Sequence, residues 1–84
     1  MNGVDYSRLR SLTAREIVAA LQRDGFTLTR QRGSHHRYTH PDGRKVTVPF
    51  SSPDETFLLK TLRSIIEQQA RWSAPDLQRL GLIS

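Results

Sequence analysis

Three short segments in the middle of the chain alternate between apolar and polar residues, and they follow one another almost directly: residues 26–31, 34–40 and 45–48. Alternation of this kind predicts half-buried strands. The first two segments are separated only by Arg32-Gly33, and the last two are joined through Pro41-Asp42-Gly43. Proline presets one dihedral angle of such a turn and glycine takes the positive one. Because parallel strands need much longer connections, the chain is constrained to a three-stranded antiparallel sheet.

Helical patterns flank this sheet. A Thr-x-x-Glu capping box predicts a helix over residues 14–24, which Gly25 ends. A second capping box at residues 52–55 places Pro53 at the first position of another helix, where its missing amide costs nothing. A third, short helix is predicted within residues 73–81. The second helix has the broadest apolar stripe, which is predicted to lie in the core: Phe57, Leu58, Leu59, Leu62, Ile65 and Ile66.

These elements predict one α+β domain spanning residues 1–84, in the order α-β-β-β-α with an additional short helix at the C-terminus. Both main helices are expected on the same face of the sheet because the connections are short.

The chain has no cysteine, which excludes disulfides and thiolate metal sites. It shows neither a secretory signal nor a membrane-spanning stretch, so a cytoplasmic protein without a membrane partner is expected.

Strand alternation divides the side chains of the sheet between two faces. One face is predicted to pack on the helices and carries Phe26, Leu28, His36, Tyr38, Val46 and Val48. The open face is predicted to carry Thr27, Thr29, Gln31, His35, Arg37, Thr39, Lys45 and Thr47. A bulge at Gly33 or Ser34 would shift this register.

The positive charge is concentrated in the same part of the chain. The net charge is +5, and residues 30–45 hold five of the basic side chains against the single acid Asp42. An excess focused in this way predicts a surface that binds phosphate groups. Arg44 lies in the second hairpin turn and is as compatible with a solvated side chain as with a functional one. Trp72, after the second helix, is expected to pack the C-terminal helix against the domain.

All three histidines lie within this basic region. On spacing alone, His35 is either an exposed strand residue without a role or a functional imidazole. His36, on the Tyr38 side, is expected to be satisfied within the core, and His40 to support the turn. Because His35 and His36 point to opposite faces, the histidines do not predict a metal site.

The segment Gly33-Ser34-His35-His36 resembles the start of the second strand in the HicA, or YcfA-like, family of toxins, and Tyr38 follows at the aromatic position of that motif. The resemblance continues in the same order through residues 40–44, 46–49 and 61–65. It covers about residues 12–70, which leaves residues 71–84 as a helical C-terminal extension. Lys60 and Phe50 depart from the family pattern, where glycine and histidine respectively are common.

The resemblance implies a fold like a double-stranded-RNA-binding domain and the function of a type II toxin, a metal-independent endoribonuclease that cleaves mRNA without a cofactor. It maps the catalytic histidine to His35. A HicB-type antitoxin protein is the implied partner, and DNA is contacted only through that antitoxin. With the basic residues nearby, the predicted substrate-binding set is Arg32, Gly33, Ser34, Arg37 and Lys45.

The chemistry of such a site fits these residue types. An imidazole can take the proton of the RNA 2′-hydroxyl, and cationic neighbours favour the neutral form that a base requires. Arg37 and Lys45 would also stabilise the negative charge of the phosphorane. Two alternatives remain open from the sequence: a non-catalytic RNA-binding module and an inactivated toxin homologue.

Overall fold

The structure is a computed structural model in which residues 3–83 are described. Three antiparallel strands form one sheet in the order β1-β2-β3: β1 is Thr27–Arg32, β2 is His35–Thr39 and β3 is Lys45–Pro49. The helices are α1 (Ala14–Arg23), α2 (Leu59–Arg63), which continues as a π-helical segment (Ser64–Gln69), and α3 (Ala74–Arg79). A 3-10 turn at Tyr6–Arg8 precedes them. The predicted α+β fold, like a double-stranded-RNA-binding domain, is confirmed.

Both main helices cover one face of the sheet, as predicted. Tyr38, Val46 and Val48 point from β2 and β3 into a core where they are almost fully buried. The opposing side chains come from every helix and from the N-terminal segment: Leu9, Leu12, Ile17, Ala20, Leu21, Leu62, Ile65, Ile66, Trp72, Leu77 and Leu80. No helix within residues 3–83 is both long and apolar enough to cross a membrane. The other face of the sheet is left open.

The start and end of α1 follow the sequence pattern. The Thr13 hydroxyl accepts a hydrogen bond from the Glu16 amide, and the Glu16 carboxylate accepts one from the Thr13 amide, which completes the capping box. Gly25 ends the helix with a φ of 103°. A β-carbon there would also approach His40 Nε2 to 3.0 Å, so both the backbone and the neighbouring ring require glycine. This close approach joins the end of α1 to the turn after β2.

The prediction that a helix begins at residues 52–55 was wrong. The Glu55 carboxylate does bind the Ser51 and Ser52 amides, but it closes a turn and not a helix. The carbonyls needed for a helix at this point are used elsewhere: Glu55 O accepts from the Ala14 amide at 2.8 Å, and Pro53 O accepts from the Arg15 amide at 3.0 Å. The segment thus satisfies the first amides of α1, which have no partner inside their own helix.

The helix therefore starts at Leu59, and the first leucines of the predicted apolar stripe, Leu58 and Leu59, lie outside the core. Leu58 is 79% exposed and Leu59 38% exposed, whereas Leu62 and the isoleucines after it are fully buried. From Ser64 the chain widens to π-helical hydrogen bonding. This brings the Gln69 carboxamide to the outer edge of β3, where it accepts from the Thr47 amide at 2.8 Å. The π-helical segment thereby covers part of an otherwise free sheet edge.

Strand β1 also departs from the predicted register. A β-bulge between Leu28 and Arg30 interrupts its alternation. Leu28, predicted to be in the core, is 48% exposed on this edge strand. Gln31, predicted on the open face, pairs with His36 and shares its face. The bulge predicted as an alternative at the Gly33-Ser34 turn lies instead within the first strand.

Asp24 connects the C-terminal helix to the rest of the core. Its carboxylate, 6% exposed, accepts the indole N–H of Trp72 at 2.8 Å and pairs with Arg79 at 2.7 Å and Arg44 at 3.2 Å. Arg44 also binds Asp42 and lies over the Phe26 ring. Arg44 is thus a structural residue and not part of an open phosphate-binding surface. The prediction that Trp72 packs the C-terminal helix down is confirmed, since it is 1% exposed.

Asp24 is expected to make the fold sensitive to acid. Burial alone would raise the pKa of Asp24, but hydrogen bonds from Trp72 and Arg79 and the charges of Arg44 and Arg79 outweigh it and hold the pKa below its usual value. A lowered folded pKa contributes stability above the unfolded pKa of about 3.9, and this is lost as pH falls through the folded value. The free energy of unfolding in urea should therefore differ most between the wild type and Asp24→Asn near pH 7. The difference should shrink below about pH 4. A difference independent of pH would show that the charge of Asp24 is not its source.

Candidate functional site

A shallow depression of about 230 Å³ lies on the open face of the sheet. Its lining combines three guanidinium groups, an imidazole and a hydroxyl: Arg30, Arg32, Arg37, His35 and Thr47. These side chains come from all three strands, so the rigid sheet and not a mobile loop determines their spacing.

The strand register explains why these residues meet. Arg32 lies directly opposite His35 across β1 and β2, and Arg30 lies opposite Arg37. Arg37 in turn lies opposite Thr47 on β3. Directly opposed residues in antiparallel strands have their α-carbons only about 4.5–5.5 Å apart. The lining residues therefore form two adjacent rows across the sheet, with His35 at the hairpin end.

The three histidines have different environments. His40 Nε2 donates to the Asp24 carbonyl at 2.7 Å while its Nδ1 accepts from the Asp42 amide at 3.0 Å. It is the turn support that the sequence predicted. Within residues 3–83, by contrast, no group of the protein forms a hydrogen bond with the ring of His35, which is exposed. Both nitrogens of His35 are thus available to a substrate.

His36 is half-buried on the opposite face, as expected for a histidine satisfied by its surroundings. Its ring stacks on Phe50 with centroids 3.9 Å apart. Its Nδ1 lies 3.1 Å from the Ser34 carbonyl and 3.3 Å from the Val48 carbonyl, which makes Nδ1 a donor. The Ser34 carbonyl also accepts from the Phe50 amide at 2.9 Å. These contacts anchor the residue immediately before His35.

The described residues do not compensate the positive charge around the depression. In the described part of the chain no carboxylate forms an ion pair with Arg30, Arg32 or Arg37. Arg44, which contributed to the basic excess in the sequence, is neutralised by Asp24 and Asp42. The open face is therefore locally more basic than the net charge of +5 suggests.

The structure brings together most of the predicted site. Arg32, His35 and Arg37 line the depression. Gly33, with a φ of 58°, and Ser34 form the tight turn beside it. Lys45 is exposed on the open face, but it pairs with Thr39 and does not line the depression.

Two lining residues, Arg30 and Thr47, were absent from the predicted site. Thr47 was expected on the open face, so its place beside Arg37 could have been inferred from the hairpin register. Arg30 could have been found from a different feature of the sequence, its position in the alternating pattern of the first strand. Strict alternation from Phe26 would bury its guanidinium, and an arginine at such a position indicates that the alternation is broken.

Nothing in the described residues resembles a metal site, since residues 3–83 contain no cluster of three or more histidine, cysteine or carboxylate side chains able to hold an ion.

The family of this chain follows from its sequence. Residues 14–70 match the family model described as "HicA toxin of bacterial toxin-antitoxin". The chain belongs to the HicA toxin family. No curated protein sequence matches it.

The HicA match confirms the family predicted from the Gly-Ser-His segment. It begins at the first residue of α1 and ends at Ala70, directly after the π-helical segment, so it includes every residue that lines the depression. Residues 71–84 lie beyond it. Membership in a toxin family of toxin–antitoxin systems implies that this HicA chain has an antitoxin partner.

Proposed function

We propose that this HicA-family toxin is a metal-independent endoribonuclease that cleaves mRNA, with His35 as the general base. The observation that carries the proposal is the environment of His35. Its ring forms no hydrogen bond with the described protein and lies in a depression with three guanidinium groups, none of which is paired with a carboxylate of residues 3–83. A base must be free to bind the proton that it removes, and negative charge developing at phosphorus needs cationic groups around it.

In the proposed reaction His35 removes the proton from the 2′-hydroxyl of the substrate. The 2′-oxygen then attacks the adjacent phosphorus, and the bond to the 5′-oxygen of the next nucleotide breaks. Arg32 and Arg37 stabilise the charge on the non-bridging oxygens, since guanidinium groups match phosphate geometry. The products are a 2′,3′-cyclic phosphate and a free 5′-hydroxyl.

The leaving 5′-oxygen also requires a proton. Apart from the His35 imidazole, the depression is lined by guanidinium groups and a hydroxyl, which are not the usual general acids. We therefore assign this proton to a water molecule, and the hydroxide that remains takes up the proton held by His35. Phe50, which stands where relatives often have histidine, packs on His36 and supplies no acid. A site with one imidazole and no paired acid is expected to be slow compared with ribonucleases that use two histidines.

A HicB-type antitoxin is the proposed partner, and it would inhibit the toxin by covering the open face around His35. Gly33, Ser34 and Lys45 belong to the proposed RNA-binding surface at its margins. The proposed catalytic domain corresponds to about residues 12–70, with residues 71–84 as a helical extension of the same single domain.

The test is cleavage of a defined single-stranded RNA by the purified full-length chain in the presence of EDTA. The proposal expects cleavage with unchanged rate when Mg²⁺ is added, and fragments that end in a 2′,3′-cyclic phosphate. A matched RNA carrying 2′-O-methyl groups should resist cleavage because it has no 2′-hydroxyl nucleophile. Binding without cleavage would identify the chain as an RNA-binding module, and products with a 5′-phosphate would contradict attack by the 2′-oxygen.

A further inference from the structure

We propose that the depression on the open face is a binding site for one tetrahedral phosphate group, and that Arg30 is its third guanidinium. The proposal deepens the ribonuclease function above, on which it rests for the source of that phosphate in RNA. It assigns a role to a residue that strand alternation would have placed on the other side of the sheet.

The β-bulge in β1 is what places Arg30 in the site. Thr29 donates from its hydroxyl toward the Arg37 carbonyl at 3.4 Å and lies 2.8 Å from the Thr39 hydroxyl, so Thr29 faces the open side. The next residue, Arg30, pairs with Arg37 and lines the depression on that same side. Two successive residues therefore face one way, which regular pleating does not allow.

The resulting arrangement of charges is costly without an anion. Arg30 is directly opposite Arg37, and like charges in directly opposed strand positions destabilise a sheet. Arg32 adds a third positive charge two residues further along β1. The residues described contain no carboxylate that compensates any of these three side chains. A bound anion would remove this repulsion. The bulge therefore brings together charges that destabilise the protein without a ligand and favour the binding of an anion.

The chemistry of the lining suits a phosphate oxyanion. Each guanidinium offers several N–H donors in a planar fork that fits two phosphate oxygens. Thr47 adds a hydroxyl on the β3 side of the depression. Three fixed positive charges exceed the single charge of an internal phosphodiester. A terminal phosphate, which carries a second negative charge, is therefore the better electrostatic match. The terminal phosphate and the internal diester share the same recognition chemistry, and the experiment below separates them.

The first measurement uses inorganic phosphate as the probe and does not depend on cleavage. Titration at constant ionic strength should shift the backbone amide resonances of the β1–β2 hairpin in a saturable way. It should also raise the melting temperature by about 4 °C or more at saturation, compared with chloride. Arg30→Gln should weaken phosphate binding by about 10-fold or more, because it removes a charged hydrogen-bond donor.

Arg10→Gln is the matched control. Arg10 is also exposed but lies outside the sheet. The same substitution there removes only a distant charge, whose effect on the site is screened by salt, so phosphate affinity should change by no more than about 2-fold. Arg30→Gln without phosphate should be at least as stable as the wild type at low salt, since it relieves the repulsion with Arg37. Equal loss of affinity in both variants would show a diffuse charge effect and would overturn the proposal. So would the absence of saturable shifts in the hairpin.

Two 2′-O-methyl oligonucleotides, one with a 3′-phosphate and one with a 3′-hydroxyl, identify the source of the phosphate. If the 3′-phosphate form binds more tightly and loses this advantage in Arg30→Gln, the site holds a terminal phosphate monoester, the end that forms only after a 2′,3′-cyclic phosphate is hydrolysed. If both forms bind equally and both weaken in Arg30→Gln, it holds an internal diester. Phosphate binding without any RNA cleavage would leave the site established while rejecting the ribonuclease function, so the two failures are distinguishable.

Discussion

Replacing His35 by alanine is expected to lower the rate of RNA cleavage by about 100-fold or more, which is the usual contribution of a positioned general base. The same variant should keep the stability of the wild type within about 0.5 kcal/mol, because the ring is exposed and the described residues form no hydrogen bond with it. Single-turnover cleavage of a defined RNA and urea unfolding measure the two quantities. Growth arrest after induction should likewise occur with the wild type only.

His40 provides the matched comparison. Its ring bonds the Asp24 carbonyl and the Asp42 amide and contacts the edge of the Phe26 ring. His40→Ala should therefore destabilise the fold by about 1–3 kcal/mol while sparing the cleavage rate of the molecules that remain folded. RNA affinity should be nearly unchanged in His35→Ala, since the arginines remain. Cleavage by His35→Ala at the wild-type rate would exclude His35 as the base, whatever else the protein does.

The overall fold could be predicted because its determinants are local. The capping box at Thr13 and the turn residues around Gly33 and Gly43 act through their own backbone, so the sequence around each is sufficient. The buried faces of β2 and β3 follow from simple alternation, which placed Tyr38, Val46 and Val48 correctly. The family resemblance at the Gly-Ser-His segment added the fold type and the choice among the three histidines.

The errors lie where distant groups compete for the same atoms. The capping box at residues 52–55 is a valid local signal, but the carbonyls of Pro53 and Glu55 bind the amides of α1 instead of continuing a helix. That competition depends on two segments about 40 residues apart in sequence, and no local pattern shows it. Leu58 and Leu59 consequently precede the buried part of the stripe and are exposed.

The candidate site was predictable for the residues on β2 and less so for those on β1. At the bulge, the Thr29 hydroxyl contacts the Arg37 carbonyl and the Thr39 hydroxyl across the sheet, and the alternating sequence does not reveal these contacts. Arg30 was therefore missed, and Gln31 was placed on the wrong face. Arg44 was the opposite error. The sequence counted its charge toward the basic surface, whereas the structure pairs it with Asp24 and Asp42.

Removing residues 71–84 is expected to unfold the protein, although the family match ends at residue 70. The residues beyond the match include four buried apolar side chains that belong to the same core as the sheet and α1: Trp72, Leu77, Leu80 and Leu82. Truncating one large buried aromatic side chain already costs about 3–5 kcal/mol. Small domains have only about 5–15 kcal/mol of stability in total. The loss of all four therefore exceeds what the remaining core can offset.

The truncation also removes two of the partners of Asp24, the Trp72 indole and Arg79. Near-ultraviolet circular dichroism and amide dispersion in NMR spectra of the 1–70 fragment should show no fixed tertiary structure. Trp72→Phe is the milder variant. It keeps an aromatic ring but removes the indole donor to Asp24, and it should cost about 1–3 kcal/mol while leaving a folded, active protein. A 1–70 fragment that unfolded cooperatively and cleaved RNA would show that the extension is dispensable. An unfolded 1–70 fragment would show that this chain needs its C-terminal segment, beyond the family match, to complete its core.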